Sequence, residues 1–481
     1  MIELDSSLNK CIPNARHIHI MGICGTGMAA LAGMLQQKGF HITGSDSHVY
    51  PPMSDFLSRL NITVMDGYHP DNLRPAPDLV IVGNVITAKN PEACGLGQTT
   101  IPYLSFPQAL SHFFISDRTS LVVAGTHGKT TTCSLLATAL HSCGLDPTFM
   151  IGGIVREFNS NFRLGNGPYF VAEGDEYDTA FFDKESKFLH YQPRIGVITS
   201  IEFDHADIFK DLAAIKKAFL KFVRLIPEDG LLIANFDDPN VVEIAKKASC
   251  KIEGYGQTDN LTWSLKNIKP SGGQTHFTVF HEDQPYGEMS VRLPGRHNCM
   301  NSLAVTAVMH HLGIQAGSIQ QGLSSFSGVK RRQEIRGIEK GITVIDDFAH
   351  HPTAVKETVQ ALKDAYGDRR LIIVFEPRTN SSRRAIFQKK YTDSFDFADI
   401  VLLREPVPLK NIAPDEMFSS QKLADDLKNI KDLDAAAFDD TDQIIDRLMS
   451  FIQPGDIIAI LSNGGFDDIH NRLLQRIKET M

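Results

Sequence analysis

Gly125, Thr126, His127, Gly128, Lys129, Thr130 and Thr131 follow directly on the apolar run 121–124. Glycines let backbone N–H groups turn around phosphate oxygens, a lysine supplies charge to the terminal phosphates, and the Thr130 hydroxyl is placed to reach a magnesium ion. The pattern predicts a nucleoside triphosphate site. A glycine-rich turn with an incidental lysine is the alternative, and the flanking segments argue against it. Apolar residues at helical spacing over 134–140, closed by Gly144, predict a helix from Thr131, so strand, loop and helix come in the order the motif needs. The spacing departs from the longer form of the motif. Only Thr126 and His127 separate the two glycines, and Val123 stands where the first glycine of that form would fall. Lys129 lies in this loop, so its removal is expected to spare the core.

Two further apolar runs end in acids. Residues 169–172 lead into Glu173, Asp175, Glu176 and Asp178, and residues 195–199 lead into Glu202, Asp204 and His205. In an open parallel sheet, ligands bind outside the carboxyl ends of the strands. Lys129, Thr130, Glu173 and His205 are therefore expected around one triphosphate and its metal, for which a hydroxyl, a carboxylate and an imidazole are a suitable protein share. The competing reading of 173–178 is a solvated acidic loop.

The elements that must position these residues form three βα-rich blocks, expected over residues 1–115, 116–327 and 328–481. The first has a strand at 17–21, the glycine turn Gly22, Gly25, Thr26, Gly27 and Met28, a helix over 29–37, and a return strand carrying Ser45 and Asp46. This is a Rossmann-type βαβ unit, yet its glycine spacing is not that of a dinucleotide fingerprint. A nucleotide diphosphate site and a tight structural turn remain open, and the case for NAD is lowered. Strands at 79–82 and around 101–103 complete the block, and 116–120 reads as a polar linker. The third block has strands at 342–345, 371–374, 400–403 and 457–461. The helix entered at Pro352 has Val355, Val359, Leu362 and Tyr366 on one face. Alternating strands and helices predict an α/β chain with doubly wound sheets in its outer blocks.

With 481 residues, 42% hydrophobic and 22% charged, the composition is that of a globular multidomain protein. The net charge of -9 argues against a nucleic-acid partner. The seven cysteines form no C-x-x-C pair, so reduced thiols and no zinc site are expected. No run reaches the length of a membrane span and the first residues lack an apolar signal core, which predicts a cytoplasmic protein.

The set Gly125 to Thr131, Glu173, His205, Gly295 to Asn301, Arg331 and Arg332, and Asp346 to Pro352 resembles the Mur ligase family, which uses ATP to build the peptide stem of cell-wall precursors. The resemblance implies a three-domain α/β fold, an N-terminal domain taking UDP-N-acetylmuramate, a central ATP domain, and a C-terminal domain taking the amine. It implies Mg2+ with ATP, and a monomer or weak homo-oligomer. Within the family, the segments 49–54, 176–191, 204–209 and 461–466 resemble the branch that joins the recycled tripeptide L-alanyl-γ-D-glutamyl-meso-diaminopimelate to UDP-N-acetylmuramate. The branch that adds L-alanine is the alternative. Gly125 to Thr131 are implied as the phosphate loop, Thr130, Glu173 and His205 as metal ligands, and His297, Asn298 and Asn301 as the adenine set. Arg332 is implied as a phosphate contact and Asp346 as a ribose contact. The sugar nucleotide falls to Gly22, Gly25, Thr26, Gly27, Met28, Ser45 and Asp46. His350, His351, Arg378, Asn380, Ser462, Asn463 and Gly464 are expected at the peptide, with Asp347, His350 and His351 as proton acceptors or, equally, helix-entry caps. Leu220 stands where several family members have a carboxylated lysine, and Lys216, Lys217 and Lys221 do not take its place. Outside the family, a nucleotide-dependent oxidoreductase and a non-catalytic ATP-gated switch remain.

Overall fold

The computed structural model describes residues 3–50, 53–271, 273–409 and 412–480. Pro51 and Pro52, in the motif at 49–54, and Met1 and Ile2 lie outside the described residues. The chain divides into two compact units, one of residues 1–154, 158–201 and 213–255, the other of residues 155–157, 202–212 and 256–481.

The first unit holds two parallel-type sheets. Strands β1 (His17–Met21), β2 (His41–Asp46), β3 (Thr63–Asp66), β4 (Leu79–Val82) and β5 (Tyr103–Ser105) lie in the order β3-β2-β1-β4-β5. The order reverses between β1 and β4, and this is where a doubly wound sheet opens a crevice. The second sheet contains β6 (Thr119–Ala124), β7 (Thr148–Val155), β8 (Ser160–Arg163), β9 (Tyr169–Gly174), β10 (Ile195–Ile198), β11 (Leu231–Asn235) and β12 (Lys251–Gly256). Its order in this unit is β12-β11-β10-β6-β9-β7-β8, with β6 parallel to both β10 and β9. Leu121, Val122, Val123 and Ala124 are all buried, as a strand covered on both faces requires. Each large aliphatic side chain enclosed in this way contributes about 1.5–3 kcal/mol.

In the second unit, β13 (Trp263–Ser271), β14 (Gln274–His281) and β15 (Gln284–Val291) make an antiparallel meander. A six-stranded sheet follows: β16 (Glu334–Glu339), β17 (Ile342–Asp347), β18 (Leu371–Phe375), β19 (Ile400–Arg404), β20 (Asp434–Phe438) and β21 (Ile457–Leu461), in the order β16-β17-β21-β18-β19-β20. Pro352 opens helix Pro352–Tyr366, and Val355, Val359 and Leu362 are buried against the sheet.

Several expected boundaries are corrected. The helix expected over 29–37 begins at Thr26, and the one expected from Thr131 begins at Lys129. The polar linker at 116–120 ends inside β6, where Ser120 is buried because its hydroxyl donates to the Gln192 carbonyl. The strand expected around 101–103 is β5, from Tyr103. Polar alternation had hidden β16, and the weak strand-formers Ala435 to Ala437 had hidden β20. Among the described residues, no helix is long and apolar enough to cross a membrane.

Candidate active site

The glycine loop 125–128, the expected phosphate loop, leaves the carboxyl end of β6, with β10 on one side and β9 on the other. Gly125 has φ +142°, and a Cβ there would lie 2.0 Å from Thr199 Oγ1. The first glycine is thus required by close approach to the end of β10. The Thr126 N–H donates to the Ser200 carbonyl at 3.0 Å, and the His127 N–H donates to Ser200 Oγ at 3.0 Å. Thr199 Oγ1 donates to the His127 carbonyl. Gly128, at φ +81°, caps helix Lys129–Ser142 in the left-handed region and turns the chain directly into it. Lys129 and Thr130 therefore occupy the first helical turn, whose amides lack intrahelical acceptors and carry the positive end of the dipole.

Lys129 Nζ donates to the Gly125 carbonyl at 2.5 Å and to Glu176 Oε2 at 3.0 Å. Its side chain is 12% exposed and that of Glu176 1%. Burial works against the lysine's charge, but Glu176, Asp175 and Glu173 together hold its pKa above the usual value. Sequence reading had left Glu176 in an acidic run. Its partnership arises only when the segment after β9 folds back.

Glu173 ends β9 beside this pair. Burial and then the Asp175 carboxylate push its pKa up, opposed by hydrogen bonds from the Thr130 hydroxyl and the Gly152 backbone. Glu173 Oε1 is enclosed without a hydrogen-bond partner among the described residues, and a Cβ on Gly152 would come within 2.9 Å of Oε2. A carboxylate oxygen with nothing to accept, next to a threonine hydroxyl, fits a hard cation that takes oxygen ligands and retains waters. A larger residue at 152 would have to displace the Glu173 carboxylate from this position. Lys216 and Lys221, in helix Leu212–Leu225, pair instead with Glu243 and Glu185 at 2.7 and 2.5 Å.

At the first sheet, Ser45 O accepts the N–H groups of Gly22 and Ile23 at 2.8 and 3.2 Å, and Asp46 Oδ2 accepts that of Cys24 at 2.9 Å. Gly25 donates to the Gly22 carbonyl at 3.2 Å. The loop's own amides are thus spent internally. Thr26, Gly27 and Met28 begin helix Thr26–Gln37, and the first-turn amides of that helix are donors of the kind that suits an anion. The Ser45 side chain is fully buried and donates to Glu92 Oε1 at 2.9 Å. Asp46 also accepts the His48 N–H at 3.1 Å.

The second unit gathers the remaining candidates. Asn298 and Asn301 are buried in helix Arg296–His311, directly after His297, and Asn298 Nδ2 donates to the Pro294 carbonyl at 2.7 Å. The Arg332 guanidinium lies 4.7 Å over the Phe348 ring. Burial raises the Asp347 pKa, although Arg332 and the N–H groups of Ala349 and Gln333 oppose the shift. His351 caps helix Pro352–Tyr366 through the Thr353 N–H, and His350 Nδ1 lies 2.9 Å from the Phe348 carbonyl. His205, at φ +51°, donates its N–H to Asp204 at 2.7 Å. Burial opposes the Asp204 charge, but His205, His351 and His350 hold its pKa far below the usual range.

The adjacent ends of β18 and β21 bring Arg378 and Ser462 to Gly464 together. Ser462 Oγ donates to Glu376 Oε2 at 2.5 Å, and Arg378 Nη1 lies 3.4 Å from Glu376 Oε1. A Cβ on Gly464 would strike Arg378, with its Cδ 2.2 Å away, and Asn463 Oδ1 is enclosed without a partner. Asn380 Nδ2 instead donates to Asp207 at 2.9 Å. Arg331, unassigned beyond its place in the motif, ties this end together by donating to the Ser462 and Gly464 carbonyls at 2.6 and 2.7 Å.

Asp346 is 1% exposed, with Arg331, Arg336 and His470 at 3.4, 3.2 and 3.4 Å. Burial raises its pKa, but His470 and the two arginines lower it by more. Asp346→Asn is expected to lower stability at neutral pH by about 1–3 kcal/mol. A depressed carboxylate stabilises the fold above its unfolded value, usually 3.8, and that contribution is lost as pH falls through the folded pKa. Denaturant midpoints of variant and parent should therefore converge in acid. A constant gap would show that charge is not the cause.

Three family profiles match the chain: Mur ligase family, catalytic domain, over residues 17–118; Mur ligase middle domain, over 123–309; and Mur ligase, glutamate ligase domain, over 331–464. A UDP-N-acetylmuramate–L-alanyl-γ-D-glutamyl-meso-2,6-diaminoheptandioate ligase of Escherichia coli is 40% identical, over 95% of this chain and 97% of the relative. The ligase of the same name from Haemophilus influenzae is 39% identical over 96% and 99%. The crystal structure of a murein peptide ligase from Psychrobacter arcticus matches with TM-score 0.70 and 36% identity, covering 97% of this chain and 99% of that one. With three family profiles in this order along the chain and relatives 39% and 40% identical over nearly its whole length, the chain belongs to the Mur ligase family of ATP-dependent ligases.

Proposed function

We propose that the protein is a cytosolic peptidoglycan-recycling enzyme that joins L-alanyl-γ-D-glutamyl-meso-diaminopimelate to UDP-N-acetylmuramate, forming ADP and phosphate. The observation that carries this is the likeness of nearly the whole chain to two relatives bearing that reaction in their names. A carboxylate is a poor acyl donor because oxide would have to leave. The lactoyl carboxylate oxygen therefore attacks the γ-phosphorus, the bond to ADP breaks, and an acyl phosphate results. Lys129 and the first-turn amides meet the charge that accumulates on the transferring group, and Arg332 adds a further cation. Thr130, Glu173 and His205 are the residues to hold magnesium, which when bound neutralises phosphate charge. The peptide amine then attacks the acyl carbon, phosphate leaves with the C–O bond electrons, and the amine gives up a proton. An α-amino group with an ordinary pKa near ~8 is partly neutral at cytosolic pH, so no strong base is required. Thr26 to Met28 face the sugar nucleotide's diphosphate. Arg378 and the Ser462 to Gly464 turn are set to meet the peptide's carboxylates. The enzyme works as a monomer or weak homo-oligomer.

Phosphate release is to be measured with ATP, Mg2+ and UDP-N-acetylmuramate, offering tripeptide and L-alanine separately. Tripeptide is expected to be the faster amine. Faster turnover with L-alanine would move the reading to the L-alanine ligase, and release independent of either amine would overturn both. Arg378→Ala is expected to raise the tripeptide KM about 10- to 100-fold, the worth of a charge-assisted contact, without moving the KM for ATP.

A further inference from the structure

A second lysine, Lys187, stands beside the acids after β9, in the segment 176–191 that carries part of the family resemblance. The chain leaves β9 at Gly174 and closes on itself where the Lys187 N–H donates to the Tyr177 carbonyl at 3.1 Å and the Phe188 N–H to the Asp175 carbonyl at 3.2 Å. Asp183, within the excursion, accepts Ser105 Oγ at 3.0 Å and Thr179 Oγ1 at 3.3 Å, and lies 2.9 Å from His190 Nε2. The excursion is thereby pinned to the end of β5. This frame points Lys187 at Asp175, with Nζ 3.2 Å from Oδ2 and 4.1 Å from the Tyr177 ring centre. The lysine side chain is 17% exposed.

Two relations give this placement a use. Phe106, 5.8 Å from Lys187 Nζ, also lies 3.6 Å from where a Cβ of Gly27 would sit, so one ring touches both the lysine and the sugar-nucleotide loop. Asp175 is followed directly by Glu176, whose carboxylate lies 3.0 Å from Lys129 Nζ, so the acid that holds Lys187 adjoins the one that holds Lys129. Lys187 therefore lies between the loop for the sugar nucleotide and the residues for the triphosphate. A carboxylate that must attack a phosphoryl group brings one anion against another. Lys129 is committed to the phosphates, which leaves the approaching carboxylate in need of a separate cation.

We infer that Lys187 binds the carboxylate of the sugar nucleotide, exchanging Asp175 for the substrate, and keeps hold of that carboxyl group as it becomes the acyl phosphate. The residue thus selects an acidic sugar nucleotide over a neutral one. This rests on the function proposed above.

The test is calorimetric titration of the full chain, as parent, Lys187→Met and Lys187→Arg, with UDP-N-acetylmuramate and with UDP-N-acetylglucosamine, which lacks the lactoyl carboxylate. The parent is expected to prefer the acidic sugar. Lys187→Met should weaken that ligand about 10- to 100-fold and leave the neutral sugar and ATP within about twofold. Lys187→Arg, which keeps the charge, should retain most of the preference, and the KM for UDP-N-acetylmuramate should follow the same order. A Lys187→Met protein that keeps the preference, or loses affinity for both sugars alike, overturns the inference and leaves Lys187 as a counter-ion of Asp175. A parent without any preference overturns the proposed function itself, and the inference with it.

Discussion

Replacing Lys129 with alanine is expected to cost both activity and stability, and adding Glu176→Gln is expected to return the second without the first. Removing one donor that meets transition-state charge lowers turnover about 100- to 1,000-fold. The stability loss comes from the partner, since Glu176 is 1% exposed and would be left without its cation. Breaking a buried pair by removing one member costs about 3–5 kcal/mol, whereas neutralising both members costs far less. The expectation that Lys129 could be removed without touching the core is corrected on this ground. Initial rates and thermal melting of the two variants are the measurements. Parent-like turnover in Lys129→Ala would sink the phosphate-loop assignment, and a parent-like melting temperature would sink the buried pair.

Glu173→Gln is expected to move activity and stability in opposite directions. The carboxylate is held beside Asp175 with Oε1 enclosed and unpaired, an arrangement that costs stability until a cation is bound. An amide of the same shape removes the like-charge interaction with Asp175. Melting without magnesium should therefore rise by roughly 1 kcal/mol equivalent. Turnover should fall about 100-fold or more, with a higher magnesium requirement, because the ligand's charge is gone. An unchanged magnesium titration would return Glu173 to a structural role.

The phosphate loop was legible because its glycines, lysine and flanking strand and helix are contiguous, and local sequence dictates local backbone. Its tighter spacing was visible too, though the reason was not. Gly125 is forced by Thr199, a residue from a strand distant in sequence, and no spacing rule reports such a contact. The ion pairs of Glu176 and Lys187 stayed hidden for a related reason. The closure of 175–188 depends on backbone pairing and on Asp183 reaching Ser105, and the intervening sequence has no periodicity. The parallel strands of the third block were read from apolar runs such as 371–374. The edge strand β16 alternates, with Ile335 and Ile338 exposed, and so lacked that signal. Ser45 and Asp46 were singled out from their position on the return strand, at the end of β2. Their bonds to the Gly22, Ile23 and Cys24 amides could be seen only once the loop had a shape.

The bracing of residues 125–128 by Thr199 and Ser200 bears on the entropy of nucleotide capture. Fixing one residue's backbone costs about 1–2 kcal/mol at room temperature. A loop already held by a neighbouring strand has less of that freedom left to lose, so a triphosphate captured there would carry a smaller ordering cost. The tightness of the complex is then set as much by how firmly β10 is held in its sheet as by the loop's own residues.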